Sequence, residues 1–86
     1  MDDRKIVIEK LERIVSEVKA NYTLTGFGKF LIESGIYGEK SSPSRFAIDA
    51  RKVLGGRVKR FPSQAMYERM RKVVEIYDRF KESQKV

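Results

Sequence analysis

The residues best suited to chemistry in this chain are the cations between Lys40 and Arg60. This stretch holds seven basic residues and one acidic residue, Asp49, so its net charge is +6 in a chain whose net charge is +7. The net charge of residues 1–39 is −1, and that of residues 61–86 is +2. A positive charge that is concentrated in one stretch predicts an anionic partner that binds there.

The composition argues against catalysis. The 86 residues include no histidine and no cysteine. Their absence removes the commonest general base, the thiol nucleophile, every disulfide and the preferred ligands of zinc. We therefore expect a protein that is not an enzyme, with no catalytic residue, metal, cofactor or small-molecule ligand.

Length and hydropathy predict one compact unit. At 86 residues the chain is expected to form a single domain over 1–86. Its longest apolar runs are three residues, as at 6–8, which is far shorter than a membrane span or the core of a signal peptide. We expect a cytoplasmic, nucleoid-associated protein that does not contact membranes. The charged fraction of 36% and the lack of cysteine are compatible with a thermophilic source.

Apolar residues at helical spacing predict an all-α fold of four helices. A long first helix at 2–20 and a long last helix at 63–82 each have an apolar stripe. Two short helices, at 25–34 and 43–54, are expected between them. Gly35 is placed to end the first short helix in the left-handed conformation.

Several residues are suited to begin these helices. Short polar side chains accept hydrogen bonds from the first free amides of a helix, and proline fits its first position. The candidates are Asp2 or Asp3, Thr23 or Thr25, Ser42 followed by Pro43, and Ser63.

The two short helices predict a helix-turn-helix-like core. In that arrangement one helix braces the next one against the major groove of DNA. The connection at 35–42 is longer than the three or four residues of the standard motif. The alternative is an ordinary helical pair with a solvated, charged face.

In this interpretation cations and hydroxyl groups contact phosphates and base edges. The spacing places Arg45, Asp49 and Lys52 on one outward face of the helix at 43–54. The basic loop at 55–62 begins with two glycines and is expected to contact the phosphate backbone. Residues 55–61 within it are a candidate for a minimal wing. The predicted nucleic-acid contacts are Lys40, Ser42, Ser44, Arg45, Arg51, Lys52, Arg57, Lys59 and Arg60.

The apolar stripes of the two long helices predict a homodimer, since such stripes often pair two copies of a small DNA-binding domain. A dimer would place two basic surfaces at a fixed spacing on a twofold site. The alternative is that each stripe packs inside its own chain. The predicted interface residues are Val7, Leu11, Ile14, Val18, Met70, Val73, Tyr77 and Phe80.

These observations favour a small, basic DNA-binding protein of the helix-turn-helix type. It would act on double-stranded DNA as a homodimeric transcriptional regulator or DNA-organising factor. Two other functions stay open at this point. The same surface suits RNA or a ribonucleoprotein, and the apolar stripes suit a helical protein-interaction adaptor that binds no nucleic acid.

Overall fold

The computed structural model describes residues 3–84, and within that range it contains four helices and no strand. The all-α class, with long first and last helices, is confirmed. The proposed helix start at Asp2 lies outside the described residues. No helix within 3–84 has the length and apolar character needed to cross a bilayer. The helices are α1 (Asp3–Asn21), α2 (Leu24–Glu33), α3 (Arg45–Leu54) and α4 (Gln64–Ser83).

The core is built where α1 and α4 pack together, with α2 and α3 closing one side. Phe27 of α2 is fully buried at the point where three helices meet. Its ring makes edge contacts with Phe46 of α3 at 5.0 Å and with Phe80 of α4 at 4.8 Å. Such pairs add about 0.5–1.5 kcal/mol each beyond burial alone. Phe27 therefore helps to hold α3 against the rest of the protein.

The predicted helix ends are mostly confirmed. The Thr23 Oγ1 accepts a hydrogen bond from the Gly26 amide at 2.9 Å, and the Ser63 Oγ accepts one from the Met66 amide at 3.1 Å. Gly35 has φ = +83°, the left-handed conformation expected for it. These local signals depend only on neighbouring residues, which is why the sequence alone predicts them.

The start of α3 differs from the prediction, because the helix begins at Arg45 rather than at Pro43. The Arg45 amide donates to the Ser42 carbonyl at 2.9 Å, so a tight turn precedes the helix. The Ser42 and Ser44 hydroxyl groups lie 2.8 Å apart across this turn. Ser42 therefore shapes the turn that leads into α3, and Ser44 takes the capping position.

The turn before α3 also touches α2 at Gly28. A Cβ atom at this position would lie 1.8 Å from the carbonyl oxygen of Pro43. Only glycine allows the two backbones to approach this closely. This contact fixes where the turn lies relative to α2, and α3 follows directly from that turn.

The segment at 55–61 forms bends rather than a strand, and residues 36–40 form no strand that could pair with it. The wing is therefore not confirmed. The segment turns back on the core, since the Arg60 amide donates to the Val53 carbonyl at 3.1 Å. The Phe61 ring packs edge-on against Tyr67 at 5.2 Å. The loop is thus anchored at its end and exposed at its start.

All eight residues predicted for the dimer interface are buried inside one chain. The two stripes face each other, because α1 and α4 pack along their lengths. Their side chains consequently offer almost no surface to a second folded copy. The residues concerned are Val7, Leu11, Ile14, Val18, Met70, Val73, Tyr77 and Phe80.

A buried tyrosine joins α4 to α1, and its ionisation is expected to lower the stability of the fold at alkaline pH. The Tyr77 hydroxyl donates to the Glu17 Oε1 at 3.1 Å. Burial and this hydrogen bond raise the pKa of Tyr77 to about 12 from 10.0. The folded protein thus holds this proton more tightly than the unfolded chain. Its contribution is complete below pH 10 and is lost as the pH rises through about 12.

We expect the Tyr77→Phe variant to lose less stability than the wild type between about pH 9 and pH 12. Over this pH range the free energy of unfolding of the wild type should fall by on the order of 1–3 kcal/mol more than that of the variant, because the variant has no phenol proton to lose at this position. Urea denaturation at a series of pH values measures it. Parallel pH profiles for the two proteins would contradict this role of the hydroxyl group.

Candidate nucleic-acid interface

The exposed side of α3 is the centre of the candidate site. Four side chains face solvent there, and we call them the outward face of α3: Arg45, Ile48, Arg51 and Lys52. The opposite side of the helix is buried through Phe46, Asp49, Ala50 and Val53. Because residues three and four apart share a side of a helix, this division follows from the spacing.

Asp49 does not lie on the outward face, contrary to the prediction. Its side chain is 0% exposed, and its Oδ2 accepts a hydrogen bond from the Tyr37 hydroxyl at 2.8 Å. The Arg69 Nη1 lies 3.3 Å from the same oxygen. The Arg45 Nε lies 3.4 Å from Oδ1, an ion pair without hydrogen-bond geometry, so Oδ1 accepts no hydrogen bond. Burial of this carboxylate is tolerated because two guanidinium groups and a hydroxyl surround it.

Tyr37 is the residue that links this cluster to the connection between α2 and α3. Burial, and next the hydrogen bond to Asp49, raise the pKa of Tyr37 above its usual range. The Arg69 guanidinium lies over the Tyr37 ring at 5.1 Å from its centre. Tyr37, which lies in the connection between α2 and α3, is therefore a buried structural residue that orients Asp49 and Arg69.

Arg69 is a cation of the site that sequence reasoning missed. It belongs to α4, yet it lines one groove with Ser42, Arg45 and Ile48. This groove has a volume of about 380 Å³. In the sequence, Arg69 only flanks the apolar stripe of α4, and nothing local connects it with α3. The tertiary structure thus adds a second arginine beside the start of α3.

The predicted contact residues do not form one continuous groove. Ser42 and Arg45 line the groove with Arg69, whereas Arg51 lines a separate depression with Lys19 of α1. Lys40, Ser44, Lys52 and Arg57 are exposed on the surface.

Lys59 and Arg60 line a third space, a cleft of about 620 Å³ against α1. Two cations and two acids of α1 face the same cleft, so its charge is mixed. The Lys59 Nζ lies 2.6 Å from the Glu12 Oε2, with both side chains substantially exposed. Lys59 therefore attaches the basic loop to α1, which the sequence did not predict. An exposed pair of this kind contributes at most about 1 kcal/mol.

Comparison of the chain with family models, with curated proteins and with solved structures finds no match. Residues 3–84 also contain no cluster of three acidic side chains that could hold a metal ion. The features that bear on function are therefore the geometry and charge of the outward face of α3 and its surroundings.

Proposed function

We propose that this protein binds double-stranded DNA through the outward face of α3. The observation that supports this proposal is the sorting of charge on that helix. Its single acid, Asp49, is fully buried, whereas its three cations, Arg45, Arg51 and Lys52, are exposed. An anionic partner that approaches α3 meets cations and no acid of that helix. Cations on a helix of this kind bind phosphates, and arginine also pairs with guanine in the major groove.

The groove beside the start of α3 supports the proposal independently. It brings two guanidinium groups, from Arg45 and Arg69, next to the hydroxyl of Ser42. Each guanidinium has five N–H donors, and Asp49 accepts one hydrogen bond from Arg69 and forms only an ion pair with Arg45. Because Asp49 restrains both side chains, binding a phosphate there costs less conformational entropy than ordering two mobile arginines. We assign this groove to a phosphate of the DNA backbone.

The biological role that fits this surface is a transcriptional regulator or a DNA-organising factor of the nucleoid. Homodimerisation stays part of the proposal, and sedimentation of the free protein and of its DNA complex measures it. Because the apolar stripes of α1 and α4 are buried in one chain, a dimer would use other surface residues.

The proposal predicts a steep dependence of DNA binding on salt. If about six cations contact phosphates, the logarithm of the association constant should fall against the logarithm of salt with a slope of about −5. Removing Arg51 and Lys52 together, as Arg51→Ala with Lys52→Ala, should make the slope less steep by about 2. Fluorescence anisotropy with a labelled random duplex at several salt concentrations measures both slopes.

A matched control removes the same charge elsewhere. Lys10→Ala with Arg13→Ala takes two cations from α1, where both residues line a groove with α4. This variant should keep the wild-type slope. A wild-type slope near zero, or equal effects of the two double variants, would contradict the proposal. An RNA hairpin that displaces the duplex would favour RNA binding, and no binding at low salt would favour the adaptor function.

A further inference from the structure

The outward face of α3 contains one apolar side chain among its cations. Ile48 is 45% exposed and lies at the centre of that face. Arg45 precedes it by three residues, and Arg51 and Lys52 follow it by three and four, so they surround it on the helix surface. Within residues 3–84 the other exposed large hydrophobic residue is Val58, at 75%. A single exposed isoleucine is ordinary, but the position of Ile48 among three cations places it against any anionic partner that those cations bind.

We propose that Ile48 contacts the C5-methyl group of a thymine in the major groove. This inference rests on the proposed DNA-binding function and names what the outward face of α3 reads. The edges of the bases in the major groove present hydrogen-bonding groups and one apolar group, the thymine methyl. Isoleucine has no donor or acceptor, so this methyl is the base-edge group that it matches. The flanking cations would bind the phosphates on either side and bring α3 close to the bases.

The surroundings of Ile48 fit a protein partner less well. A stable protein interface covers about 800 Å² on each side and has an apolar centre of several residues. The groove that Ile48 lines also contains Ser41, Ser42, Arg45 and Arg69, together with Gly38, the half-buried Ile36 and the buried Tyr37. Two arginines and two serines beside a single exposed isoleucine match a phosphate beside a methyl group better than they match an apolar protein surface.

The test uses duplexes selected by the protein from a random DNA pool. Each thymine of the preferred sequence is then replaced by deoxyuridine, which lacks the C5-methyl group and keeps every hydrogen-bonding group. We expect the wild type to bind about fourfold more weakly when the contacted thymine is replaced, since a buried group of this size contributes about 0.8 kcal/mol. Ile48→Ala should bind the two duplexes equally.

Val58→Ala is the matched control, because it shortens the other exposed hydrophobic residue and leaves Ile48 in place. It should keep the fourfold preference for thymine. Circular dichroism checks that both variants stay folded, as expected for substitutions at exposed positions.

Several results would overturn the inference. One is that no deoxyuridine replacement weakens binding by the wild type. Another is that Ile48→Ala keeps the preference for thymine, or that selection enriches no sequence at all. If Ile48→Ala keeps the preference and also alters the sedimenting mass, Ile48 belongs to a protein contact instead. In each case salt-dependent binding to random DNA can persist, so the failure is distinct from failure of the proposed function.

Discussion

Replacing Asp49 with alanine is expected to lower the free energy of unfolding by about 2–4 kcal/mol. The carboxylate is fully buried and contacts Tyr37, Arg45 and Arg69. Without it the buried Tyr37 hydroxyl loses its acceptor, and two guanidinium groups lose the charge that faces them. Urea denaturation at constant pH should show a lower midpoint with an unchanged slope.

Asp78→Ala is the matched control for this substitution. The Asp78 side chain is 90% exposed and pairs with Lys81 at 3.5 Å. Its loss should change the free energy of unfolding by no more than about 0.5 kcal/mol. Asp49→Asn keeps an acceptor for Tyr37 and removes the charge, so it should fall between the wild type and Asp49→Ala. If Asp49→Ala is no less stable than Asp78→Ala, the buried cluster does not hold α3 and α4 together.

The second large effect is expected for Gly28→Ala. The added Cβ would lie 1.8 Å from the Pro43 carbonyl oxygen and 2.8 Å from the carbonyl carbon. Both are backbone atoms, so no side-chain rotation relieves the overlap, and α2 must move away from the turn. We expect a loss of about 3 kcal/mol, although alanine is normally about 1 kcal/mol better than glycine inside a helix. Thermal and urea denaturation measure the net change.

Gly38→Ala tests the same chemical change where there is space. The nearest atom to an added Cβ there is the Ser41 Oγ at 3.8 Å, an ordinary contact. This variant should remain within about 0.5 kcal/mol of the wild type. A Gly28→Ala protein that is as stable as Gly38→Ala would show that α2 and the turn before α3 do not require their close approach. Amide hydrogen exchange in α3 would locate the disturbance if the loss is observed.

The ends of the helices could be predicted because the atoms that define them are close in the chain. Thr23 and Ser63 each accept a hydrogen bond from an amide three residues later. Gly35 has the positive φ that a left-handed helix end requires. The start of α3 was placed two residues too early, since a tight turn and a helix begin with the same serine and proline signals.

The apolar stripes show what a periodic pattern leaves undecided. A stripe such as that of Leu11, Ile14 and Val18 reports that one side of a helix is buried, whatever buries it. The same spacing suits a second copy of the chain or the facing helix of the same chain. In this protein α1 and α4 bury each other's stripes, so residues predicted for a dimer interface are core residues.

The sequence by itself determined the four helices, most of their ends and the positive sign of the stretch between Lys40 and Arg60. Only the tertiary structure decided which charges face outward. Asp49 is neutralised by Arg69, 20 residues away, and Lys59 is attached to Glu12, 47 residues away. Local spacing carries no information about partners at such separations, because packing of the helices brings them together. Folding thereby removes the single acid of α3 from solvent and leaves Arg45, Arg51 and Lys52 around Ile48.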